Sequence, residues 1–436
     1  MSSSETCIFV PGEAIHKIAG SSLSGGTLVL QFSQADEIFV VAAVEIGHDI
    51  RSSTLPSRDY LALNGVNASF DGQWLRAPEP GDATSLHLQH LLLARRPLAA
   101  IPIDVFRDLV AGVRDPGNKR GFLITHDPQL PPELRDLGCP EFAGWTIERT
   151  GVRPLPLQIE PECFGIEQLA ATWPVERMST IRVLLVGCGS IGSAAAEALA
   201  SVGMGTIDLV DPDRFLWHNM IRHSLAKESV GRFKVDAMRE HLRERWPHTT
   251  VHPHREDVVE DAHTVRQLFK EADVVICAAD GIAPRRVVSH LARRAGVPSV
   301  LACVLEHGAV GELLRLRPTP RFGCLLCMRA ALANEGAMDA EADQELGYGT
   351  GSTHQPMSAV PPDLRLIGTL AAKVAVATVL ESRHGDHTQR LPGEHAIIGL
   401  RPAGDLAPPF DVSFAGEIRW STIPSPRPTC PTCSPP

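Results

Sequence analysis

The sequence predicts an α/β fold built around a doubly wound sheet that is mixed but mainly parallel. From Ile181 onward, short apolar segments alternate with longer segments that suit helices, as in successive βαβ units. The first of these strands leads into a glycine-rich turn, Gly187-Cys-Gly189-Ser-Ile-Gly192, and a small-residue helix follows the turn. Such sheets bind ligands at the carboxyl ends of their strands, so the site is expected at that edge.

The elements of this part of the chain are predicted from their composition. Ile181–Val186 is apolar throughout, as a buried strand requires, and the helix Ser193–Val202 is rich in small residues that allow close packing. The other predicted strands are Thr206–Val210, Thr250–Pro253, Val274–Cys277, Val297–Val304, Val310–Arg315, His395–Leu400 and Glu417–Trp420. The other predicted helices are Lys234–Arg245, Ala283–Ala295 and Arg365–Ser382. Val297–Val304 and Val310–Arg315 are expected to be antiparallel to each other.

Residues 330–363 interrupt this alternation. The segment is polar and rich in Gly, Ala, Glu and Asp, with Gly-Tyr-Gly-Thr-Gly in its middle. A loop of this length inside a compact domain is usually functional or mobile. We therefore predict a functional crossover loop at 330–363 within a domain that spans residues 175–436.

Residues 1–165 do not show the regular alternation of strands and helices and are predicted to form a smaller α+β accessory domain. Strands are expected at Thr27–Phe32, Ile38–Val44 and Gly121–Thr125, and a helix at Asp104–Gly112. The Pro-rich stretch Arg153–Pro161 is predicted to be a linker.

The segment from Gly121 to Pro128 loosely resembles the strand and His-x-His-Pro turn of JAB/MPN metalloproteases. It contains His126 but lacks the second histidine, so the resemblance is to a degenerate form. His87 and His90 fall on a predicted helix and are interpreted as surface residues. We expect a non-catalytic domain that recruits a partner or substrate.

Composition and charge exclude several classes of protein. The 436 residues carry a formal net charge of -10, which argues against a general nucleic-acid binder because such a protein needs excess Lys and Arg. The first residues, MSSSET, lack the basic and apolar regions of a secretory signal. No segment reaches the roughly 18 apolar residues of a membrane span, so a cytoplasmic location is expected.

The glycine-rich turn brings backbone N–H groups to the start of a helix, where a phosphate group is favoured. Gly187, Gly189 and Gly192 are therefore candidate nucleotide-binding residues. Asp211 ends the next strand and is placed to accept hydrogen bonds from ribose hydroxyl groups. With these features alone, an NAD-dependent dehydrogenase fits equally well.

The residues that follow favour ATP over NAD. Arg222 and Lys234 would supply positive charge to a triphosphate, and Asn219 would donate an amide hydrogen bond. Asp280 ends the Val274–Ala279 segment and could hold Mg²⁺ against the phosphates. A dehydrogenase has no need of this set of residues.

Four of the ten cysteines form two CxxC pairs, Cys324/Cys327 and Cys430/Cys433. A reducing compartment disfavours disulfides, so these thiols are better interpreted as four ligands of a structural zinc ion. Cys303 lies on a predicted core strand and is interpreted as a packing residue.

The ordered motifs resemble those of the ThiF-type adenylyltransferases, which include the molybdopterin-synthase and thiamine-biosynthesis adenylyltransferases and the ubiquitin-activating enzymes. The resemblance covers about residues 175–436. It implies a Rossmann-like adenylation domain, in a homodimer, that uses Mg-ATP to adenylylate the C-terminal glycine of a ubiquitin-like (β-grasp) or sulfur-carrier protein. A downstream conjugating or sulfur-transfer protein is the further partner it implies.

The same resemblance implies individual roles. Asp211 would bind ribose, and Asn219, Arg222 and Lys234 would contact the phosphates. Asp280 would hold magnesium, helped by Asp213. The four cysteines would hold zinc and clamp the C-terminal tail against the crossover region.

The sequence departs from the family pattern at several positions. His223 stands where a glutamine usually follows the arginine, and Gly281 stands where an asparagine usually follows the magnesium aspartate. The segment Cys163-Phe-Gly-Ile lacks the arginine that family members supply to the partner's site. Arg177 is a weak substitute.

The nucleophile is the largest departure, because no cysteine occurs between Met328 and Asp363. The family's acceptor cysteine corresponds to the neighbourhood of His354, where the hydroxyl residues are Ser352, Thr353 and Ser358. Either the enzyme only forms the adenylate, or a loop hydroxyl accepts the acyl group as an oxyester with His354 as base.

Two other functions stay open at this point. In one, the enzyme activates a small carboxylate or peptide, or dehydrates a tRNA base. In the other, the chain is an inactive adenylation fold that serves as a scaffold subunit. Arg222, Lys234 and Asp280 together count against the scaffold.

Overall fold

The computed structural model describes residues 6–33, 37–45, 51–53, 66–76, 84–96, 99–161, 165–337 and 359–434. The chain divides into two compact units, Met1–Gly165 and Ile166–Pro436. Each unit has its own sheet and its own hydrophobic core.

The first unit contains a mixed sheet of nine described strands with helices packed against it. In chain order its elements are β1 (Ile8–Val10), α1 (Gly12–Gly20), β2 (Gly25–Ser33), β3 (Ile38–Glu45), β4 (Arg51–Ser53), β5 (Val66–Arg76), α2 (Thr84–Ala94), α3 (Ile103–Leu109), β6 (Gly121–His126), α4 (Pro132–Asp136), β7 (Phe142–Glu148), β8 (Gly151–Leu155) and β9 (Leu157–Ile159). The strand order is β8-β7-β6-β5-β2-β3-β1-β9, and β4 pairs with β3. Helices and strands thus combine as the predicted α+β class requires.

The prediction of a linker at Arg153–Pro161 is wrong. β8 pairs antiparallel with β7, and β9 pairs parallel with β1, so both segments belong to the sheet. These two strands lie at opposite ends of the strand order, and an edge strand tolerates proline because its outer N–H has no partner to bond. Proline content therefore misidentified two edge strands as a connection.

The prediction that His87 and His90 are surface residues is also wrong. Both lie on α2 and are buried, with 0% and 9% of their surface exposed. His87 bonds the Pro140 carbonyl and the Thr125 hydroxyl, each at 2.8 Å, and His90 Nε2 lies 3.0 Å from the Gly144 carbonyl. Burial lowers the pKa of both imidazoles, that of His90 to about 4, so they are neutral core residues.

The second unit is a doubly wound α/β domain. Its elements are α5 (Val175–Met178), β10 (Arg182–Val186), α6 (Ser190–Ser201), β11 (Thr206–Val210), α7 (Lys234–Arg245), β12 (Thr250–His254), α8 (Ala262–Glu271), β13 (Val274–Cys277), α9 (Ile282–Ala295), β14 (Ser299–Leu305), β15 (Val310–Leu316), α10 (Leu325–Asn334), α11 (Pro361–His384), β16 (His395–Gly399) and β17 (Ile418–Ser421). The strand order is β12-β11-β10-β13-β14-β15-β16-β17.

This sheet confirms the predicted mixed, mainly parallel topology. β12, β11, β10, β13 and β14 pair in parallel, whereas β14, β15, β16 and β17 pair antiparallel. Residues of α6, α7 and α11 form the core on one face, and residues of α8, α9 and α10 form the core on the other. The antiparallel pairing of β14 with β15 also matches the prediction.

Five of the described helices were not predicted from the sequence. α1, α4, α5 and α8 are four of these. The fifth, α10, begins at Leu325 within the first CxxC pair and extends to Asn334 inside the predicted loop. Residues 338–358 of that loop lie outside the described residues. None of the described helices is both long enough and apolar enough to cross a membrane.

Candidate functional site

Most of the predicted site residues lie at the carboxyl ends of three neighbouring parallel strands. The glycine-rich turn follows β10, Asp211 follows β11, and Asp280 follows β13. β10 pairs with both other strands, so the turn lies between the two aspartates along this edge. The sheet itself therefore brings together residues that are far apart in sequence.

The first and second glycines of the turn serve different purposes. Gly187 has φ +91°, and a Cβ there would lie 2.4 Å from the Ala279 amide nitrogen, so only glycine fits. A Cβ on Gly189 would meet nothing within 4 Å, although this residue caps the N-terminus of α6. Open space therefore lies beside backbone N–H groups at a helix N-terminus, as phosphate binding requires.

Asp211 fixes the shape of this turn. Its Oδ2 accepts a hydrogen bond of 2.7 Å from the Cys188 amide, and its Oδ1 accepts one of 2.9 Å from the Asp213 amide. Burial raises the pKa of this carboxyl, and Lys234 opposes that effect. The contacts in the structure thus give Asp211 a positioning role in addition to the predicted ribose contact.

Lys234 is a buried cation at the start of α7. Its side chain is 9% exposed, and Nζ lies 2.8 Å from Asp213 Oδ2 and 3.7 Å from Asp211 Oδ1. Burial disfavours the charge, but Asp211 and Asp213 outweigh it, so the pKa of Lys234 is raised and the ammonium persists. The structure therefore brings the side chains of Asp211, Asp213 and Lys234 together, and their roles toward a nucleotide stay predictions.

Asn219 and Arg222 lie in the loop between β11 and α7. Asn219 Oδ1 accepts a 2.8 Å hydrogen bond from the Leu216 amide, which orients the side chain and leaves Nδ2 as a donor. Arg222 is partly exposed and forms no ion pair with any residue that the structure describes. Arg222 is thus a cation available to a ligand.

His223 supports the glycine turn from the protein side. Its Nε2–H donates to the Cys188 carbonyl at 2.8 Å, while Nδ1 accepts from the Leu225 amide at 3.1 Å. Burial lowers the pKa of His223 to about 4, so the ring is neutral near pH 7. The histidine that replaces the family's glutamine therefore holds the backbone of the glycine turn in place.

Asp280 is exposed at the end of β13 and has no bonding partner among the described residues. The next residue, Gly281, has φ +89°, and its carbonyl accepts a 3.2 Å hydrogen bond from Arg285 Nε. The buried Arg285 thus holds the turn that presents Asp280. A free carboxylate on a fixed turn is suited to a divalent cation.

A series of buried polar side-chain contacts begins at Arg285. Its Nη1 lies 2.7 Å from Cys303 Sγ, and Cys303 Sγ lies 3.7 Å from Glu312 Oε2. Arg329 of α10 forms a bidentate pair with Glu312, and His395 Nε2 lies 3.0 Å from Glu312 Oε1. Burial opposes ionisation of Glu312, but Arg329 outweighs it and holds the pKa of Glu312 well below its usual range.

The sequence analysis did not predict this series of contacts. Cys303 is buried in the core as predicted, yet it is also a contact between Arg285 and Glu312. The available signal was Glu312 itself, a carboxylate inside the otherwise apolar start of β15. A charged residue in a fully buried strand requires partners.

The two CxxC pairs converge in a buried cluster. Cys324 Sγ lies 3.5 Å from Cys430 Sγ and 4.0 Å from Cys327 Sγ, and Cys327 Sγ lies 3.8 Å from Cys433 Sγ. A tetrahedral ion with Zn–S bonds of about 2.3 Å would separate its sulfurs by about 3.8 Å. The Arg427 amide donates to Cys327 Sγ at 3.4 Å, as a metal-bound thiolate prefers. These donors fit zinc.

Two predictions cannot be placed at this edge. Ser352, Thr353, His354 and Ser358 lie outside the described residues. Arg177 pairs with Asp386 at 3.2 Å, and no described contact joins it to the glycine turn. The acyl acceptor and the substitute arginine therefore stay predictions.

Comparison with known proteins agrees with this geometry. The model of the ThiF family matches residues 162–389, just over half of the chain. The adenylyltransferase and sulfurtransferase uba4 of Aspergillus clavatus is 32% identical over 220 residues, which cover 46% of this chain and 44% of that protein. The uba4 protein of Aspergillus fumigatus is 39% identical over 150 residues, covering 33% and 29%.

Among solved structures, Escherichia coli MccB with ATP is similar over 59% of this chain and 68% of that one, with 19% identity and a TM-score of 0.44. The chain spans less than half the length of the two uba4 proteins. From the family match and the motifs at the sheet edge, the chain belongs to the ThiF family.

Proposed function

We propose that this chain uses Mg-ATP to adenylylate the C-terminal glycine of a ubiquitin-like or sulfur-carrier protein, releasing pyrophosphate. The observation that carries the proposal is the glycine turn with its open space, bordered by the buried ammonium of Lys234. The names of the uba4 relatives, which include adenylyltransferase activity, support the same reaction. We place the enzyme in the cytoplasm, where reducing conditions would keep its thiols available to a metal.

In this reaction the carrier's carboxylate attacks the α-phosphorus of ATP. A bond forms between a carboxylate oxygen and the α-phosphorus, and the bond from that phosphorus to the pyrophosphate oxygen breaks. The amides of the glycine turn, with Asn219, Arg222 and Lys234, would hold and neutralise the phosphates as charge shifts to the leaving group. Catalysis then consists mainly of positioning and charge stabilisation.

Magnesium would be held by Asp280, helped by Asp213. It would neutralise phosphate oxygens when bound. Asp280 fits this role because it is exposed and no described residue bonds it, whereas Asp213 is shared with Lys234. Asp280 is therefore the stronger candidate of the two.

The four-cysteine cluster would hold a structural zinc ion. All four sulfurs are buried and would be used by the metal, which leaves no open coordination position for chemistry. Arg294 bonds the carbonyls of Pro431 and Ser434 at 3.1 Å each, so the C-terminal segment is also held outside the cluster. The expected role is to anchor the C-terminal segment to α10.

We further propose that the functional unit is a homodimer. The loop that carries Asn219 and Arg222 also exposes Trp217, Met220 and Ile221, with 75%, 41% and 66% of their surfaces accessible. Such a cluster of large apolar side chains is typical of a covered surface. A second copy of the chain would cover these side chains.

The experiment that tests the proposal is ATP–pyrophosphate exchange, followed by intact mass spectrometry with a candidate carrier that ends in glycine. Carrier-dependent exchange with a carrier adenylate supports adenylylation. An adduct of enzyme and carrier that resists thiols but yields to hydroxylamine would establish an oxyester, and its loss when Ser352, Thr353 and Ser358 are all changed to Ala would place it on that loop. Absence of exchange with every carrier, small carboxylate or peptide would instead support an inactive scaffold.

For the first unit we propose a non-catalytic role in recruiting a partner. The buried state of His87 and His90 supports this, since both imidazoles bond protein groups. Deleting residues 1–165 should raise the carrier concentration needed for half-maximal exchange. An unchanged concentration dependence would remove this role.

A further inference from the structure

A second candidate site lies beside α7, away from the glycine turn. It is a cavity of about 320 Å³ whose lining includes four arginines and one aromatic ring. The arginines are Arg214, Arg232, Arg239 and Arg255, and the ring is that of Phe233. Such a concentration of positive charge is unusual in a chain whose formal net charge is -10.

The cavity is adjacent to the nucleotide site but separate from it. Arg214 and Phe233 face each other across a short antiparallel bridge, and the Lys234 amide donates to the Asp213 carbonyl at 2.9 Å. Neither Lys234 nor any residue of the glycine turn lines the cavity. The two sites therefore share a backbone segment without sharing ligand-facing side chains.

Contacts within the lining hold two of the guanidinium groups in place. The Arg214 and Arg255 guanidinium carbons lie 4.0 and 4.4 Å from the centroid of the Phe233 ring. Arg214 also donates to the Gly231 carbonyl at 2.7 Å. Stacking on an aromatic ring orients a guanidinium while its N–H groups still point outward to an anion.

The acidic side chains of the lining only partly neutralise it. Asp236 pairs with Arg255 and Glu240 pairs with Arg232, both at 2.8 Å. Arg214 and Arg239 form no ion pair in the part of the chain that the structure describes, and the four arginines of the lining exceed its two acidic residues by two charges. The Arg232–Glu240 pair is about 40% exposed on both sides, and such pairs are weak enough for a ligand to displace.

We propose that this cavity binds a small anion that carries a diphosphate group. Guanidinium groups bind phosphate oxygens in pairs of parallel hydrogen bonds, and four guanidinium groups offer enough donors for the two phosphate groups of a diphosphate. The volume lies at the lower end of the roughly 300–1,000 Å³ typical of ligand pockets, which favours a compact anion. This site is additional to the proposed adenylylation and does not depend on it.

The test is isothermal titration with inorganic pyrophosphate and, separately, ADP. Both titrations use Lys234→Ala protein, which removes a phosphate contact at the glycine turn. The further change Arg214→Gln/Arg239→Gln should raise the Kd for pyrophosphate at least about tenfold. If ADP binds at least as tightly as pyrophosphate and loses as much affinity in the cavity variant, the ligand is a nucleotide diphosphate. If ADP binds more weakly, or keeps its affinity in the cavity variant, the ligand is the free anion.

The matched control is Arg243→Gln/Arg245→Gln, which removes two charges from the same helix outside the cavity. The proposal is overturned if the control weakens pyrophosphate binding equally, if the cavity variant leaves Kd unchanged, or if Lys234→Ala protein binds no diphosphate. It is also overturned if an RNA dodecamer, and not pyrophosphate, responds to the cavity variant. If the double variant does not fold, the titration is repeated with the single variant Arg239→Gln. ATP–pyrophosphate exchange by Arg239→Gln protein with intact Lys234 reports on the proposed function separately.

Discussion

Each unit contains a polar cluster, buried in the first and partly exposed in the second, and the clusters differ in how fully the described residues satisfy them. In the first unit, His87 and His90 bond backbone carbonyls and a hydroxyl group. In the second, Arg222 and Asp280 have no bonding partner among the described residues, and Gly189 borders open space. Residue types used in catalysis occur in both units. Buried polar atoms of Trp74, Thr146 and Arg153 in the first unit also lack a described partner, so an accessible charged group without a partner is the better guide to a site.

The largest effect is expected from Lys234→Ala. Loss of the buried ammonium should lower ATP–pyrophosphate exchange by about 10²–10³-fold, since it removes a preorganised charge from the phosphates. Asp280→Ala should lower exchange similarly and raise the magnesium requirement. Circular dichroism must show that both variants are folded. Normal exchange in either folded variant would contradict the assigned site.

The variant His87→Ala tests whether a buried polar residue of the first unit contributes to stability and not to activity. It removes a buried side chain that makes two hydrogen bonds, so the free energy of unfolding should fall by about 2–4 kcal/mol. Exchange by protein that is still folded should be unchanged. Chemical denaturation and the exchange assay measure the two quantities. A loss of exchange without a loss of stability would make the first unit part of the active site.

The zinc prediction is tested by elemental analysis, which should find about one zinc per chain. Cys430→Ser should lose the metal and lower the free energy of unfolding by about 3 kcal/mol or more, because three thiols hold the ion less tightly. A metal-free wild-type protein of normal stability would exclude the site.

Two neighbouring glycines separate stability from binding. Gly187→Ala should destabilise the protein by about 2 kcal/mol or more, because alanine disfavours φ +91° and would clash with Ala279. Gly189→Ala should change stability by less than about 0.5 kcal/mol, yet weaken ATP binding about tenfold by filling the phosphate space. Denaturation and nucleotide titration of both variants provide the check. If Gly189→Ala binds ATP normally, phosphate does not lie there.

A pH dependence that involves both units is the last effect expected. The pKa values of His90 and His223 fall from about 6.5 in the unfolded chain to about 4 in the folded one. The unfolded state therefore takes up protons first, and stability falls as pH drops from 6.5 towards 4, by on the order of 2–3 kcal/mol per histidine. Denaturation between pH 7 and 4.5 measures this slope, which His90→Gln should flatten. An equal slope in that variant would show that His90 does not contribute.

The sequence predicted the second unit well because its signals are local. The helix Lys234–Arg245 and the strands Thr206–Val210 and Val274–Cys277 match at both ends, since apolar strands and helix boundaries are set by nearby residues. It failed where tertiary context decides. The prolines of Arg153–Pro161 indicated a linker, yet this segment forms two strands, one at each edge of the sheet.

The site divides in the same way. Motif order identified Asp211, Lys234 and the four cysteines, and the structure brings each set together. Arg285 could not be found, because a charged residue on a helix reads as exposed until a neighbouring strand buries it. Its role depends on Cys303 and Glu312, which only the pairing of β14 with β15 places beside each other.

The contacts from Arg329 to Arg285 also have a consequence for local unfolding of the second unit. Arg329 follows Cys327 closely in α10, and the contacts through Glu312, Cys303 and Arg285 end at the Gly281 carbonyl. Groups joined by buried polar contacts tend to open as one cooperative unit. Amide protons of α10 and of the turn after Asp280 should therefore exchange with solvent deuterium in a single event. If the four cysteines hold a metal ion, its removal should make both segments exchange faster together, although they are distant in sequence.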